Sequence, residues 1–289
     1  MLAIAGTVPD SDFPVVAGPA SVEGDTLFVG GFRVSISRGT PALLGAALAV
    51  VETMGLGHVR TFLAGDVGTG AGSRALYASL EKNLPSLNLD VLVFHYLLPD
   101  VDWHNKVLFS VQEMDPGPVL VADAGFMYAA KMSGQAPEYD LFTPDAGELA
   151  FLADEQAPHP FYTRGFILQD ETKVPELISR AYEHENAARH LLVKGEKDYV
   201  AGTEGVLAVI DEPAVEALEC IGGTGDTLTG IAAALIYSGM KISEAARVAA
   251  RVNRLAGSLA APTPATQVFE IIRFIPEALE KELERRSDH

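Results

Sequence analysis

Two short stretches, "VLVFHYL" (91–97) and "VLVADA" (119–124), do most to limit the folds open to this chain. Both are near-continuous apolar runs of strand length. A strand with one wet face alternates apolar and polar residues, whereas an unbroken run suits a strand buried on both faces, as in a parallel sheet covered by helices. The surrounding sequence repeats the unit. "TLFVG" (26–30) reads as a strand, and "PALLGAALAVVETMG" (41–55) as a helix with Pro41 in its first turn and Gly55 past its end. "VRTFLAG" (59–65) is a strand and "SRALYASLEKN" (73–83) an amphipathic helix that Ser73 is placed to cap. "ELISRAYEHENA" is helical, "HLLVKG" a strand, and "DYVAGTEGVLAVI" two β runs around a hairpin turn. Three helices close the chain: one after Gly225, then "SEAARVAARVNRLAGSLA", then a charged one ending "EALEKELERR". Repeated β-then-α units predict an α/β protein with a largely parallel central sheet and helices on both faces. No repeat, low-complexity tract or linker divides it, so a single domain over 1–289 is expected. Residues 1–25, with Pro9, Pro14 and Pro19 and no period, read as an extended N-terminal arm, and residues 154–170 as a long loop.

Charge narrows the partners. The 289 residues carry 21 Lys plus Arg against 39 Asp plus Glu, a net charge of −18. Such a surface repels nucleic acid and anionic membrane, so neither is an expected partner. An anionic ligand must instead be held by backbone dipoles, a metal ion or a few placed cations. The one cysteine, Cys220, excludes an internal disulfide and a cysteine-based zinc cluster. The N-terminus lacks the basic segment and long apolar run of a signal peptide, and no run reaches membrane-spanning length, so a cytoplasmic location is expected.

Familiar catalytic signatures are missing: there is no Walker pattern, no GxSxG elbow and no HExxH. His104, beside Trp103, reads as a surface or satisfied core histidine. "GDVGTGAG" (65–72) lies between a strand and a helix, where orphan N–H groups attract anions. A dinucleotide fingerprint would need an acid at the end of the next strand. Asp90 precedes that strand and Asp100 lies farther off, so three readings remain: that fingerprint, a structural glycine turn, or a ligand-facing turn of another kind.

"IGGTGDTLTG" (221–230) is more informative. Gly222, Gly223 and Gly225 let the backbone approach a ligand closely. The N–H groups around Thr224–Asp226 head a helix and converge, so Gly223, Thr224 and Gly225 form a candidate anion hole. Asp226 as a plain cap would stabilise the helix dipole by about 0.3–1 kcal/mol. A cap does not account for three glycines in four positions, nor for the small apolar face that follows. The chemistry that fits is an anion hole for a transferring phosphoryl group, with Asp226 beside it to take a proton from a hydroxyl. Lys194 ends an apolar strand and precedes Gly195. It is placed either at the ligand edge of the sheet or as a solvated strand-end lysine.

These residues resemble a family. "GGTGDTLTGIAAALIYSG" is similar to the GxGD signature of the ribokinase-like superfamily and, within it, to the ADP/ATP-dependent NAD(P)H-hydrate dehydratases, the C-terminal YjeF-type domains. "VLVADAGFMYAA", with Asp123-Ala124, "LFTPDAGELAFL" and "LLVKGEKDYVAG" resemble further segments of that family in order and spacing, and the likeness covers roughly residues 24–262. It implies a three-layer α/β/α ribokinase-like fold. It also implies an enzyme that phosphorylates the C6 hydroxyl of hydrated NADH or NADPH with ADP or ATP and Mg²⁺, then eliminates phosphate. Carried over by position, Asp226 is the base, and Gly225 with Lys194, Gly195, Glu196, Lys197 and Asp198 binds the nucleotide. Gly70, Asp145 and Asp226 approach the substrate. Glu148 is either a carboxylate near the Mg²⁺ waters or a first-turn helix residue. Expected partners are the small-molecule substrate, the nucleotide and further copies of the chain in a homo-oligomer. Two departures are visible: Asp145 replaces the histidine usual in TPHxGE, and "FRVSIS" (32–37) interrupts the N-terminal glycine segment. A sugar or hydroxymethyl kinase of the same superfamily is the alternative activity. A binding protein that kept the fold is a third reading, disfavoured by the intact GTGD.

Overall fold

The computed structural model describes residues 1–157 and 173–287. Six parallel strands make the middle of the sheet: β1 (Leu2–Val8), β5 (Val59–Gly65), β6 (Val91–His95), β7 (Val119–Ala122), β8 (Leu141–Phe142) and β9 (His190–Val193). Antiparallel strands extend both edges. β2 (Val16–Glu23), β3 (Thr26–Val29) and β4 (Phe32–Ser35) lie beyond β5, and β10 (Asp198–Gly202) and β11 (Gly205–Ile210) beyond β9. The full order is β11-β10-β9-β8-β7-β6-β1-β5-β2-β3-β4.

The apolar runs read as buried strands are β6 and β7, and all five residues of β6 are buried. One face of the sheet packs on α1 (Thr40–Thr53), α7 (Thr224–Tyr237), α8 (Ile242–Leu259), α9 (Val268–Ile272) and α10 (Ile275–Ser287), around Leu43, Ile231 and Val248. The other face packs on α2 (Ala71–Asn83), α3 (Val101–Gln112), α4 (Gly125–Met132), α5 (Ala146–Ala153) and α6 (Val174–Glu183), around Phe94, Phe126 and Ile178. The small face of α7 has a packing reason: Gly230 lies against the Leu43 carbonyl, so the backbones of α7 and α1 touch where a methyl group would clash.

Residues 1–25 are not an arm. All seven residues of β1 are buried and it pairs with β5 on one side and β6 on the other, at the centre of the sheet. Its run, "LAIAGTV", is short, and the prolines that suggested an arm fall where a sheet tolerates them. Pro9 follows β1, Pro14 lies in the connection, and Pro19 is the last residue of β2 paired with β5 before β2 passes to β3. The "FRVSIS" interruption is β4, the outer strand of an antiparallel extension. Helix α2 begins at Ala71 with Gly70 as N-cap, and Ser73 instead donates its hydroxyl to Asp66 at 2.8 Å. The expected loop at 154–170 lies outside the described residues from 158 onward. Among the described residues no helix is long and apolar enough to cross a membrane.

The topology selects the site. The chain places β5 on one side of β1 and β6 on the other, so the strand order reverses at β1. Open parallel sheets bind ligands beyond the carboxyl ends of the strands at such a reversal.

Candidate active site

A cleft of about 730 Å³ opens there. Its wall takes Thr7 and Pro9 from the end of β1, Asp66 and Gly68 after β5, and Tyr96, Leu97, Leu98 and Pro99 after β6. Ala124 and Gly125 follow β7, Arg38, Gly39 and Thr40 open α1, and Tyr128 and Glu148 come from α4 and α5. Two of the four non-glycine residues with positive φ among the described residues lie on this wall. Tyr96 and Ala124 adopt left-handed φ values of 53° and 51° although neither is glycine, a conformation retained where the surroundings impose it.

Behind Gly39 lies Asp226, 9% exposed, in the first turn of α7. Oδ2 accepts the Gly39 N–H at 2.6 Å and Oδ1 lies 3.1 Å from Nε2 of the fully buried His95. Burial pushes the Asp226 carboxyl up, but His95, Lys194 and the Gly39 N–H outweigh it and hold the group below its usual range. A cap role alone is therefore insufficient: α7 shows no side-chain cap bond, and the carboxylate reaches across to α1 and β6. Gly223 is the N-cap at φ 103°, and a Cβ there would press on Val268 and the Arg38 backbone. The N–H groups of Thr224, Gly225 and Asp226 follow it at the helix start, where no preceding turn accepts them.

Lys194 is not a solvated strand-end lysine. Its Nζ lies 2.9 Å from both oxygens of Asp123, with side chains only 13% and 2% exposed. Burial lowers the Lys194 pKa, yet Asp123, Glu148 and Asp226 reverse this and keep it charged. Its aliphatic stem passes Gly225, where a Cβ would be 3.5 Å from Cδ. Thr229 donates to Asp123 Oδ2 at 2.7 Å and lies 3.0 Å from Thr143 Oγ1. His95, Asp123 and Asp226 bring possible ligand atoms within 4.8 Å of one another. The Lys194 ammonium already neutralises Asp123 there, so the cluster is a charge-paired network and not a metal cage.

The segment after Lys194 divides. Gly195, Glu196 and Lys197 are exposed. Asp198 turns inward, 4% exposed, and takes Arg254 Nε at 2.7 Å, while Arg254 Nη2 donates to the carbonyls of Gly195 and Glu196 at 3.1 and 2.8 Å. The Asp198 carboxylate is therefore committed to Arg254, which shapes the loop. Arg254 escaped the sequence reading; the available signal was an arginine among the alanines and valines of the buried face of α8.

Two residues expected to approach the substrate also have structural partners. Asp145 caps α5: its Oδ1 accepts the Glu148 N–H at 2.7 Å, and Glu148 Oε2 accepts the Asp145 N–H at 2.8 Å. The residue standing where the family has histidine is thus one half of a capping box. Asp145→Ala is expected to lower stability by about 1 kcal/mol, measured by chemical denaturation; an unchanged midpoint would show the box to be dispensable. Gly70 is buried, its N–H on Asp66 at 3.0 Å, and Gly68 forms the cleft wall. Asp66 gathers the N–H groups of Gly68, Gly70 and Ser73, so this turn is satisfied by its own carboxylate and is no dinucleotide fingerprint. Asp100, weighed as that fingerprint's acid, caps α3 through the Trp103 N–H at 3.1 Å. His104 is a satisfied core histidine, 2.9 Å from the Tyr139 hydroxyl, and burial lowers its pKa to about 4.

Glu148 faces the cleft with Tyr128, whose hydroxyl donates to Oε1 at 3.3 Å. Burial raises its carboxyl to about 8; Lys194 opposes this, and Asp145 and Asp123 add to it.

A mostly parallel sheet covered by helices, with a glycine turn, a buried carboxylate and a lysine at its carboxyl edge, is the arrangement of a ribokinase-like fold. A phosphofructokinase-2 mutant from Escherichia coli superposes with a TM-score of 0.57 over 97% of this chain and 99% of its own, at 12% identity, a likeness of fold. The family model for NAD(P)H-hydrate dehydratase matches residues 42–276. An uncharacterised protein of Methanocaldococcus jannaschii is 41% identical over 242 residues, 83% of this chain and 100% of that protein. An ADP-dependent (S)-NAD(P)H-hydrate dehydratase of Cenarchaeum symbiosum is 30% identical over 138 residues, 48% of this chain and 43% of its own. The chain belongs to the NAD(P)H-hydrate dehydratase family and is an enzyme of that type.

Proposed function

We propose that the protein dehydrates hydrated NADH or NADPH by phosphorylating the ring hydroxyl and then eliminating phosphate, with ADP or ATP as phosphoryl donor. The observation that carries this reading is Asp226, an ionised and buried carboxylate in the same helix turn as the N–H groups of Thr224 and Gly225. The hydroxyl oxygen attacks the terminal phosphorus as the bond to the nucleotide breaks. The electron pair leaves on the nucleotide, and the hydroxyl proton passes to Asp226. The ring C–O bond of the new phosphate ester then breaks, the electron pair leaving with phosphate, and loss of a proton from the adjacent carbon returns the ring double bond. Tyr96, half-exposed on the wall, with Leu98 and Pro99 offers an apolar face to a nicotinamide ring. Arg38, at the lip beside Gly222, has no ion-pair partner among the described residues and is placed beside the glycine turn to meet phosphate.

Lys194 adjoins Gly225, and exposed Gly195, Glu196 and Lys197 follow it in the chain on the nucleotide side of this reading. A Mg²⁺ ion fits the scarcity of free cations in a chain of net charge −18, and Glu148 is the carboxylate on the cleft wall that would hold its waters. Such an ion would supply charge neutralisation on the phosphates.

The test is recovery of reduced-nicotinamide absorbance from hydrated NADH with ADP or ATP, each with and without Mg²⁺. Recovery that depends on nucleotide and Mg²⁺ is expected. Binding is checked by thermal shift, where a nucleotide at about 100 times its dissociation constant stabilises by about 2.7 kcal/mol. Failure of both nucleotides to bind or restore absorbance would overturn the proposal.

A further inference from the structure

Histidine closes the apolar run "VLVFH" of β6, where an all-hydrophobic strand would otherwise continue. His95 is fully buried, between Thr40 Oγ1, 2.9 Å from Nδ1, and Asp226 Oδ1, 3.1 Å from Nε2. A carboxylate only accepts, so the ring hydrogen facing it sits on Nε2. In the neutral ring Nδ1 then accepts the Thr40 hydroxyl, which fixes that tautomer. The other Asp226 oxygen is held by Gly39 at 2.6 Å. Two donors from different elements, each on its own oxygen, stop the carboxylate from rotating.

The charged surroundings explain why His95 serves Asp226. Asp123, at the end of β7, is the competing carboxylate, with Oδ2 3.8 Å from Nε2. Lys194, after β9, takes both Asp123 oxygens and leaves the His95 N–H to the nearer Asp226. Glu148 from α5 is the further acid that faces Lys194, its carboxyl raised by burial to about 8. Tyr96, the next residue in the chain, meets the His95 ring edge-on at 4.3 Å between centroids.

We propose that His95 is a positioning residue for the phosphoryl-transfer step: its Nε2–H, oriented by Thr40, fixes Asp226 so that a free lone pair of the ionised carboxylate faces the substrate hydroxyl. The proposal rests on the dehydratase reading for its substrate, and on geometry alone for the His95–Asp226 link. Asp226 is held below its ordinary carboxylate range, and without the His95 bond burial acts on it less opposed. Its pKa then rises, and the acid limb of the kcat/KM profile moves to higher pH.

The test compares His95→Leu, His95→Gln and Thr40→Val on hydrated NADH with ADP or ATP and Mg²⁺. His95→Leu is expected to lower kcat/KM roughly 10²-fold through misplacement of the base and to shift the acid limb upward. His95→Gln, whose amide N–H reaches toward Oδ1, is expected to recover most of that loss with the limb near its wild-type position. Thr40→Val frees the tautomer and should fall between them. Equal losses in the Leu and Gln variants, or an acid limb that stays put in the Leu variant, overturn the proposal. A second measurement needs no turnover: ¹³C-carboxyl NMR titration of Asp226, assigned with Asp226→Asn. A resonance that titrates higher in His95→Leu but not in His95→Gln supports the link; one unchanged in both refutes it. If wild-type protein ignores the hydrate while this titration shifts as expected, the dehydratase reading fails and the positioning link stands. If His95→Leu does not fold, the Gln and Thr40→Val variants carry both measurements, with an Asp226 titration unmoved by Thr40→Val counting against the link.

Discussion

Asp226→Asn is expected to lower turnover of hydrated NADH by roughly 10²–10⁴ while the protein stays folded. The fold should survive because asparagine matches the local hydrogen-bond geometry. Its carbonyl oxygen can accept the Gly39 N–H, now held at 2.6 Å by Asp226 Oδ2. Its amide can donate to His95 Nε2 if the imidazole hydrogen moves to Nδ1, where Thr40 Oγ1 is 2.9 Å away and able to accept. What asparagine cannot do is take the hydroxyl proton. Nucleotide affinity should hold or rise, because a negative charge beside the helix N-terminus is gone. Steady-state kinetics with a thermal melt separate the two properties. Turnover within about threefold of wild type, against the factor expected of a general base, would reduce Asp226 to a structural carboxylate.

The second large effect is on stability. Lys194→Met should cost about 3–5 kcal/mol, since removal of one partner leaves a buried charge uncompensated. Asp123 would keep Thr229 at 2.7 Å and the Ala124 N–H at 2.8 Å but lose its counter-charge. Glu148 and Asp226 would lose the same cation. The pH dependence has a definite sign. Lys194 has a raised pKa in the folded state, so its contribution is complete below the unfolded lysine value, about 10.4, and is lost as pH rises through the higher folded value. Denaturation at neutral pH therefore reads the full effect. Adding Asp123→Asn to Lys194→Met should recover part of the loss, because the orphaned charge goes with it. A single-mutant loss below about 1 kcal/mol would show that the pair is solvated, as surface pairs are.

The capping box at Asp145 and Glu148 shows why a departure from a family motif need not signal a changed substrate. A carboxylate three residues before another at a helix start satisfies two orphan N–H groups locally. The spacing of the two acids in "PDAGE" is itself the signature of that box.

Sequence alone determined the parallel core, because strands buried on both faces need unbroken apolar runs such as those in β6 and β7. It also determined the start of α7, because glycines directly before an apolar helix have few other uses. These signals are local, carried by neighbours within one element. The tertiary structure decided the rest. It put β1 at the centre of the sheet, since a seven-residue apolar run among prolines carries no mark of its partners. It joined His95 to Asp226 across 131 positions, Lys194 to Asp123 across 71, and Arg254 to Asp198 across 56. The first two pairs meet because strand order brings the ends of β6, β7 and β9 to one edge of the sheet, beside the start of α7; the third joins α8 to the start of β10. No local propensity encodes that order; it follows from how both faces of the whole sheet are buried together.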